Sequence, residues 1–558
     1  MTSARVFCIA TLSVATALLG ACSKSGAPAT AVVAASAPVT AAASGDGGIA
    51  WRHAANDAEV DAVFATAKAE SKPVFVYWGA TWCPPCNQVK ATLFNRQDFI
   101  ERTRAFVPVY VDGDSPGAQK IGARFHVSGY PTMVLFNPAG VEMTRLPGEV
   151  EPARYAEVMT LGMNAARPVK AVLAEALAGG KVLTANDWRL LAFYSFDTDQ
   201  QQLVAKDRLP ATLAALAAAC PADAPEMAMR LRLKALAADD AEAAAKTASA
   251  AGRPARDAAA QAAVLALLAD ATRAREQTDL LTNSAAEIVR ALSAKSTPER
   301  GRLLAGFDAA LRRLEADMTL SRADRMQALI AQVDLARIDE AEADASESAA
   351  KPTVRAALPA GLVADVREQV ARADREITDG YERQAVITAA AYLLERAGLG
   401  AESDTLLMAN LAKSHSPYYL MSELAGNAKK RGDKAAALDW SRQAFEKSAG
   451  PATRLQWGAS YVAMLVDLAP TDDAAIEKTT AQLFDEAATQ PDAFYQRSGR
   501  SLGRVGSKLQ AWNRSGSHRA TLARLQVRLN ALCAAPRLGD SERATCTGLL
   551  SAPVKASA

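Results

Sequence analysis

The chain has 558 residues, too many for one ordinary domain, and half of them are hydrophobic, enough to bury substantial cores. Its 63 Lys and Arg balance 61 Asp and Glu, and no basic stripe interleaved with aromatics stands out, so nucleic acid is not an expected partner. Alanine is abundant and aromatics make up only 6%, which suits close-packed helices and predicts a largely helical chain.

The N-terminus reads as an address. Arg5 precedes an apolar run from Val6 to Leu19, too short to span a bilayer and suited to a signal peptide over residues 1–21. The run ends in Leu19-Gly20-Ala21-Cys22, which resembles the bacterial lipoprotein box. That resemblance implies cleavage before Cys22 and lipidation of it, with several acyl chains holding the protein on a membrane. Ser23 favours the outer membrane by the habit of that family, so the expected location is the periplasm, lipid-anchored. Residues 22–50 are Ala, Ser, Thr, Pro and Gly with almost no charge, and predict a disordered tether with a reach of roughly 30 Å.

Structured patterning begins at Trp51. Ala55 to Ala69 predicts a helix with Val60, Val63, Phe64 and Ala67 on one face. Val74-Phe75-Val76-Tyr77-Trp78 predicts a buried strand. It runs into Gly79-Ala80-Thr81-Trp82-Cys83-Pro84-Pro85-Cys86 and then a helix from Asn87 to Leu93. Further strands are expected at 105–111, 133–136 and, after a turn at Gly140, 141–145, with a closing helix from Pro152 to Met163.

Two residues between cysteines at a helix start allow a short-loop disulfide, with the first sulfur expected exposed and the second partly covered. The positive helix end stabilises the Cys83 thiolate, the attacking species in disulfide exchange, which Cys86 then resolves. Pro84 and Pro85 restrict φ and hold the loop ready to close, with Trp82 packed beside the sulfur. A zinc site needs four ligands, and His53 and His126 are single and far apart, so no metal is expected.

Trp82-Cys83-Pro84-Pro85-Cys86, with Gly129-Tyr130-Pro131-Thr132 about 45 residues later, resembles the thioredoxin superfamily of the periplasmic thiol–disulfide interchange type. The resemblance covers residues 51–165 and implies an α/β thioredoxin fold. It also implies a cis proline at Pro131 facing the sulfurs, and a substrate groove of Trp82, Pro84, Pro85, Tyr130 and Pro131. Tyr77 stands where thioredoxins carry a buried acid.

Of the other cysteines, Cys8 leaves with the signal and Cys220 is left unpaired. Cys533 and Cys546 bracket a short loop and are candidates for a structural disulfide in an oxidising compartment. Beyond residue 166 the pattern is all-α. Leu304, Phe307, Leu311, Leu314 and Met318 form one stripe and Met326, Ile330 and Val333 another. A helical region is expected at 166–343, a polar linker at 344–360 and a second helical region at 361–555. In the last, Tyr419 to Ser448, with its turn at Gly432-Asp433, resembles a tetratricopeptide repeat. Looser copies carry turns at Gly398 and at Pro470-Thr471-Asp472. Stacked helix pairs of that kind form concave surfaces for protein partners. The basic run Lys429-Lys430-Arg431 is read as a solvated helix end.

The expected function is a protein-disulfide reductase or isomerase that needs no cofactor beyond the Cys83–Cys86 pair. Its partners would be proteins with thiols or disulfides, a membrane electron-donor protein and the membrane itself. The alternative is an assembly lipoprotein whose helical array does the work, with the redox domain a sensor or relic.

Overall fold

The computed structural model describes residues 48–147, 151–179, 183–246, 258–340 and 357–551. The predicted signal, Cys8, Cys22, the tether up to residue 47 and positions 344–356 of the linker lie outside the described residues.

The β-branched and aromatic runs form one mixed sheet: β1 (Arg52–His53), β2 (Val74–Gly79), β3 (Val107–Asp112), β4 (Thr132–Phe136) and β5 (Glu142–Leu146), in the order β1-β3-β2-β4-β5. β3 runs parallel to β1 and β2; β4 pairs antiparallel with β2 and β5. Every residue of β2 is buried, as expected of a central strand covered on both faces. Because strand side chains alternate, Phe75 and Tyr77 enter one core and Val74, Val76 and Trp78 the other.

Helices α1 (Asp57–Ala69), α2 (Pro84–Val89), α3 (Gln97–Arg102), α4 (Ala118–Arg124) and α5 (Pro152–Met163) complete the domain. α1 begins two residues later than predicted because the Asn56 side chain caps it, accepting from Glu59 N at 3.0 Å. The helix predicted at 87–93 starts already at Pro84, since a proline in the first turn needs no intrahelical donor, and continues as a π-helical turn over Lys90–Phe94. β1, α3 and α4 are additional, each too short to impress a period on the sequence.

From α6 (Val169–Leu177) onward the described residues are helical or turn, through α7 (Ala185–Phe193), α8 (Leu209–Ala219), α9 (Pro225–Lys246) and the helices that follow. The expected boundary at 165/166 marks a change of secondary structure but no break in packing. Trp188, Leu191, Phe193 and Leu231 share a core with Phe75, Tyr77, Leu135 and Met159.

The helix Pro298–Ala316 buries Phe307, Leu311 and Leu314 of the predicted stripe, with Leu303 buried where Leu304, expected in it, is only partly so. Met318, expected to extend that stripe, is exposed because the helix stops at Ala316. Met326, Ile330 and Val333 are buried together. Helix pairs turn at Gly398 and Gly432, both at positive φ, and across Pro470–Asp472. The basic run at 429–431 does more than cap a helix end: Lys429, Lys430 and Arg431 reach Asp467, Glu395 and Asp404 on other helices at 2.6, 2.8 and 2.7 Å.

The Cys533 and Cys546 sulfurs are paired as a disulfide. Cys220 is unpaired and partly buried, and burial pushes its thiol up to about 11, so it is a poor nucleophile at neutral pH.

Candidate functional site

β2 delivers the chain to Gly79, and three residues later the backbone turns into α2. Cys83 is the N-cap of that helix: its Sγ accepts from Cys86 N at 3.2 Å, and Cys83 and Cys86 are joined as a disulfide. Asn87 braces the loop, its side-chain amide donating to Thr81 O and Cys83 O, both at 2.8 Å. A helix N-terminus concentrates unsatisfied N–H groups at the first sulfur, which favours its thiolate once the pair is reduced.

The antiparallel register sets Trp78 opposite Thr132, so the residue before Thr132 lies beside the strand end that feeds the cysteines. That residue is Pro131, and Tyr130–Pro131 is a cis peptide. The Tyr130 ring packs against Trp82 with centroids 6.0 Å apart. Tyr130 OH accepts from Gln119 Nε2 at 3.1 Å, and burial raises its phenol above the ordinary range. Of the predicted groove residues, Trp82 and Tyr130 pack with the two cysteines, Pro84 and Pro85 open α2, and Pro131 follows Tyr130.

Tyr77 is buried and stacked on Tyr110 at 5.3 Å, so no carboxylate comes from that position. The carboxyl brought closest in register is Asp112, opposite Gly79 on β3; burial raises its pKa, and it accepts from Asp114 N at 3.0 Å.

Residues 60–161 match the family described as a thioredoxin-like domain. The N-terminal domain is thioredoxin-like. Two curated relatives are the thiol:disulfide interchange proteins DsbD 1 and DsbD 2 of Pseudomonas aeruginosa, each 29% identical, over 116 and 102 residues. The matches cover 19% and 18% of this chain, and the chain spans only 19% and 17% of the length of those relatives.

In one respect the site departs from expectation. Cys83, expected to be exposed, is 2% accessible; Cys86 is 0% and Trp82 8%. The cause is the helical region, which packs on the sulfur face of the thioredoxin-like domain. Tyr419 stacks on Trp82 at 5.9 Å and Trp457 meets it edge-on at 5.3 Å. His415 Nε2 lies 2.9 Å from Thr81 O, and Gln88 donates to Asp324 at 3.1 Å.

Asp114, just past β3, is the polar centre of this seam. It accepts from Trp82 Nε1 at 3.0 Å, from Thr453 N at 2.8 Å, from Thr453 Oγ1 at 2.7 Å and from the Arg497 guanidinium. Arg497 also lies over the Trp82 and Tyr130 rings, at 5.0 and 5.2 Å. Sequence reading missed Asp114, Tyr419, Trp457 and Arg497. Their only local signal was an acid just after a strand and aromatics scattered in a chain poor in them.

Proposed function

We propose that this protein is a thiol–disulfide oxidoreductase acting on protein clients, with Cys83 the nucleophile and Cys86 the resolving thiol. The observation that carries the reading is the Cys83 sulfur at the N-cap of α2, with the Tyr130–Pro131 peptide just before the strand that pairs with β2. In the reducing direction the Cys83 thiolate attacks one sulfur of a client disulfide. The client S–S bond breaks, its other sulfur leaves as a thiolate and takes a proton, and a Cys83–client mixed disulfide forms. Cys86, deprotonated, then attacks Cys83 Sγ and releases the second client thiol. The client gains two electrons, the pair becomes the Cys83–Cys86 disulfide, and a donor dithiol must reduce it again.

The Cys83–Cys86 pair carries the exchange and a donor dithiol supplies the electrons, so no organic cofactor is invoked. Reduction or isomerisation is the proposed direction, on the resemblance of Trp82–Cys86 and Gly129–Thr132 to periplasmic interchange proteins. Periplasmic location and a lipid anchor on Cys22 rest on the Leu19–Cys22 sequence, and a membrane protein is the proposed electron donor. The helical region is proposed to engage protein partners, on the strength of its stacked helix pairs.

The test is a trap. Cys86→Ser, acid-quenched and alkylated in its native compartment, should accumulate mixed disulfides that vanish in the Cys83→Ser, Cys86→Ser double variant. If no adduct forms, weight moves to the second reading, an assembly lipoprotein, which the burial of both sulfurs under the helices favours.

A further inference from the structure

The redox pair and the helical region meet along a seam where Ala80, Trp82, Cys83 and Cys86 pack with Tyr418, Met421, Leu455 and Trp457 in one apolar cluster, edged by aromatic and charged groups. On the helical side stand Tyr419, Trp457 and Arg497, the residue types enriched where surfaces dock. On the thioredoxin-like side stand Trp82, Tyr130 and Asp114. A client disulfide must bring a sulfur into contact with Cys83 Sγ, and its flanking backbone alongside Pro131. Both places are taken: Pro131 and both cysteines are buried, and the covering groups belong to this chain.

The seam is also fastened at a defined point. The Asp114 and Arg497 side chains are 9% and 7% exposed and paired with each other, with Thr453 bonded to both. A buried charge pair tolerates the loss of neither partner, because the survivor is left charged in a dry setting. Two further polar links flank it. Asp492 accepts from Gln119 N at 2.7 Å, and Gln119 Oε1 accepts from Arg497 N at 2.9 Å. Elsewhere along the contact between the α2 start and the helices, a cleft of about 260 Å³ lies between Pro84, Pro85 and Gln88 on one side and Gln327, Tyr392 and Glu423 on the other. Apolar contact in this seam draws, on the thioredoxin-like side, on Ala80, Trp82, the two cysteines and Tyr130, whereas the core shared by the sheet and α6 to α9 takes in residues of several strands and cannot part without unfolding.

We propose that the helical region is a built-in cover over the Cys83–Cys86 pair, latched by Asp114 and Arg497, and that protein clients reach Cys83 only when this seam opens. The proposal rests on the oxidoreductase reading above and adds that the resting form is closed to proteins.

The experiment uses the full chain, oxidised, and follows reduction of the Cys83–Cys86 disulfide by reduced bacterial thioredoxin as the protein dithiol. Arg497→Gln should react at least tenfold faster than the unaltered protein. Thr453→Val, which removes one hydroxyl from the latch, should give a smaller gain in the same direction and serves where Arg497→Gln fails to fold. Reaction of the unaltered protein as fast as both variants would overturn the cover while leaving the oxidoreductase reading intact. No reaction in any of the three, with the pair reducible after urea unfolding, would overturn both.

Discussion

Lys234 illustrates how one residue sets a pH window. Its ammonium donates to Tyr194 O at 2.9 Å, and burial, aided by the positive charge of Arg230, lowers its pKa from 10.5 to about 7. Between pH 7 and 10.5 the unfolded chain binds a proton here that the folded chain does not, so this residue makes stability rise with pH across that window. Below pH 7 the penalty is constant. Lys234→Met should therefore stabilise the protein by about 2 kcal/mol at pH 7, with the gain shrinking toward pH 10 in urea titrations. Single residues were unequally legible in the sequence. Cys83, Cys86 and Pro131 announce themselves because their chemistry depends on short spacings within a local frame. Asp114 and Arg497 are 383 positions apart, and nothing in either neighbourhood encodes the other.

At the scale of elements, the turn into the helix Pro451–Leu468 is a constrained point of the seam. Gly450 has φ 89° and ψ 138°, and a Cβ there would sit 2.6 Å from Asp114 Cβ. Only glycine meets both demands. Gly450→Ala should cost about 2 kcal/mol in denaturant midpoint, and should loosen the Asp114 fastening with it. A variant as stable as the parent would show that the backbone there relaxes freely. Strands and long helices were readable from period and composition, as in β2 and α5, where burial follows a run or a face. The two-residue β1 and the six-residue α3 were not, since their position is set by partners in the sheet and core. The exposure of Met318 has the same origin: a stripe can be read from spacing, but its end depends on where the helix stops.

For the molecule as a whole, the sheet and α6 to α9 share one core, so the thioredoxin-like domain should not unfold alone. Trp188 is 2% exposed in that core. Trp188→Ala should cost about 3–5 kcal/mol, and hydrogen exchange should show β4 amides losing protection together with those of α7. Loss confined to α7 would mean two independent cores. This coupling could not be read from sequence, because the change from mixed to all-helical patterning at residue 166 looks like a domain border when only local periods are visible.

The 383 positions between Asp114 and Arg497 also have a consequence in time. At about 5–20 residues per second of synthesis, the latch residue follows the acid it meets by roughly 20–80 s. For most of that interval the helices carrying Tyr419 and Trp457 have not yet been made. On the proposed reading, the cover over the pair therefore cannot be latched until residue 497 has been made.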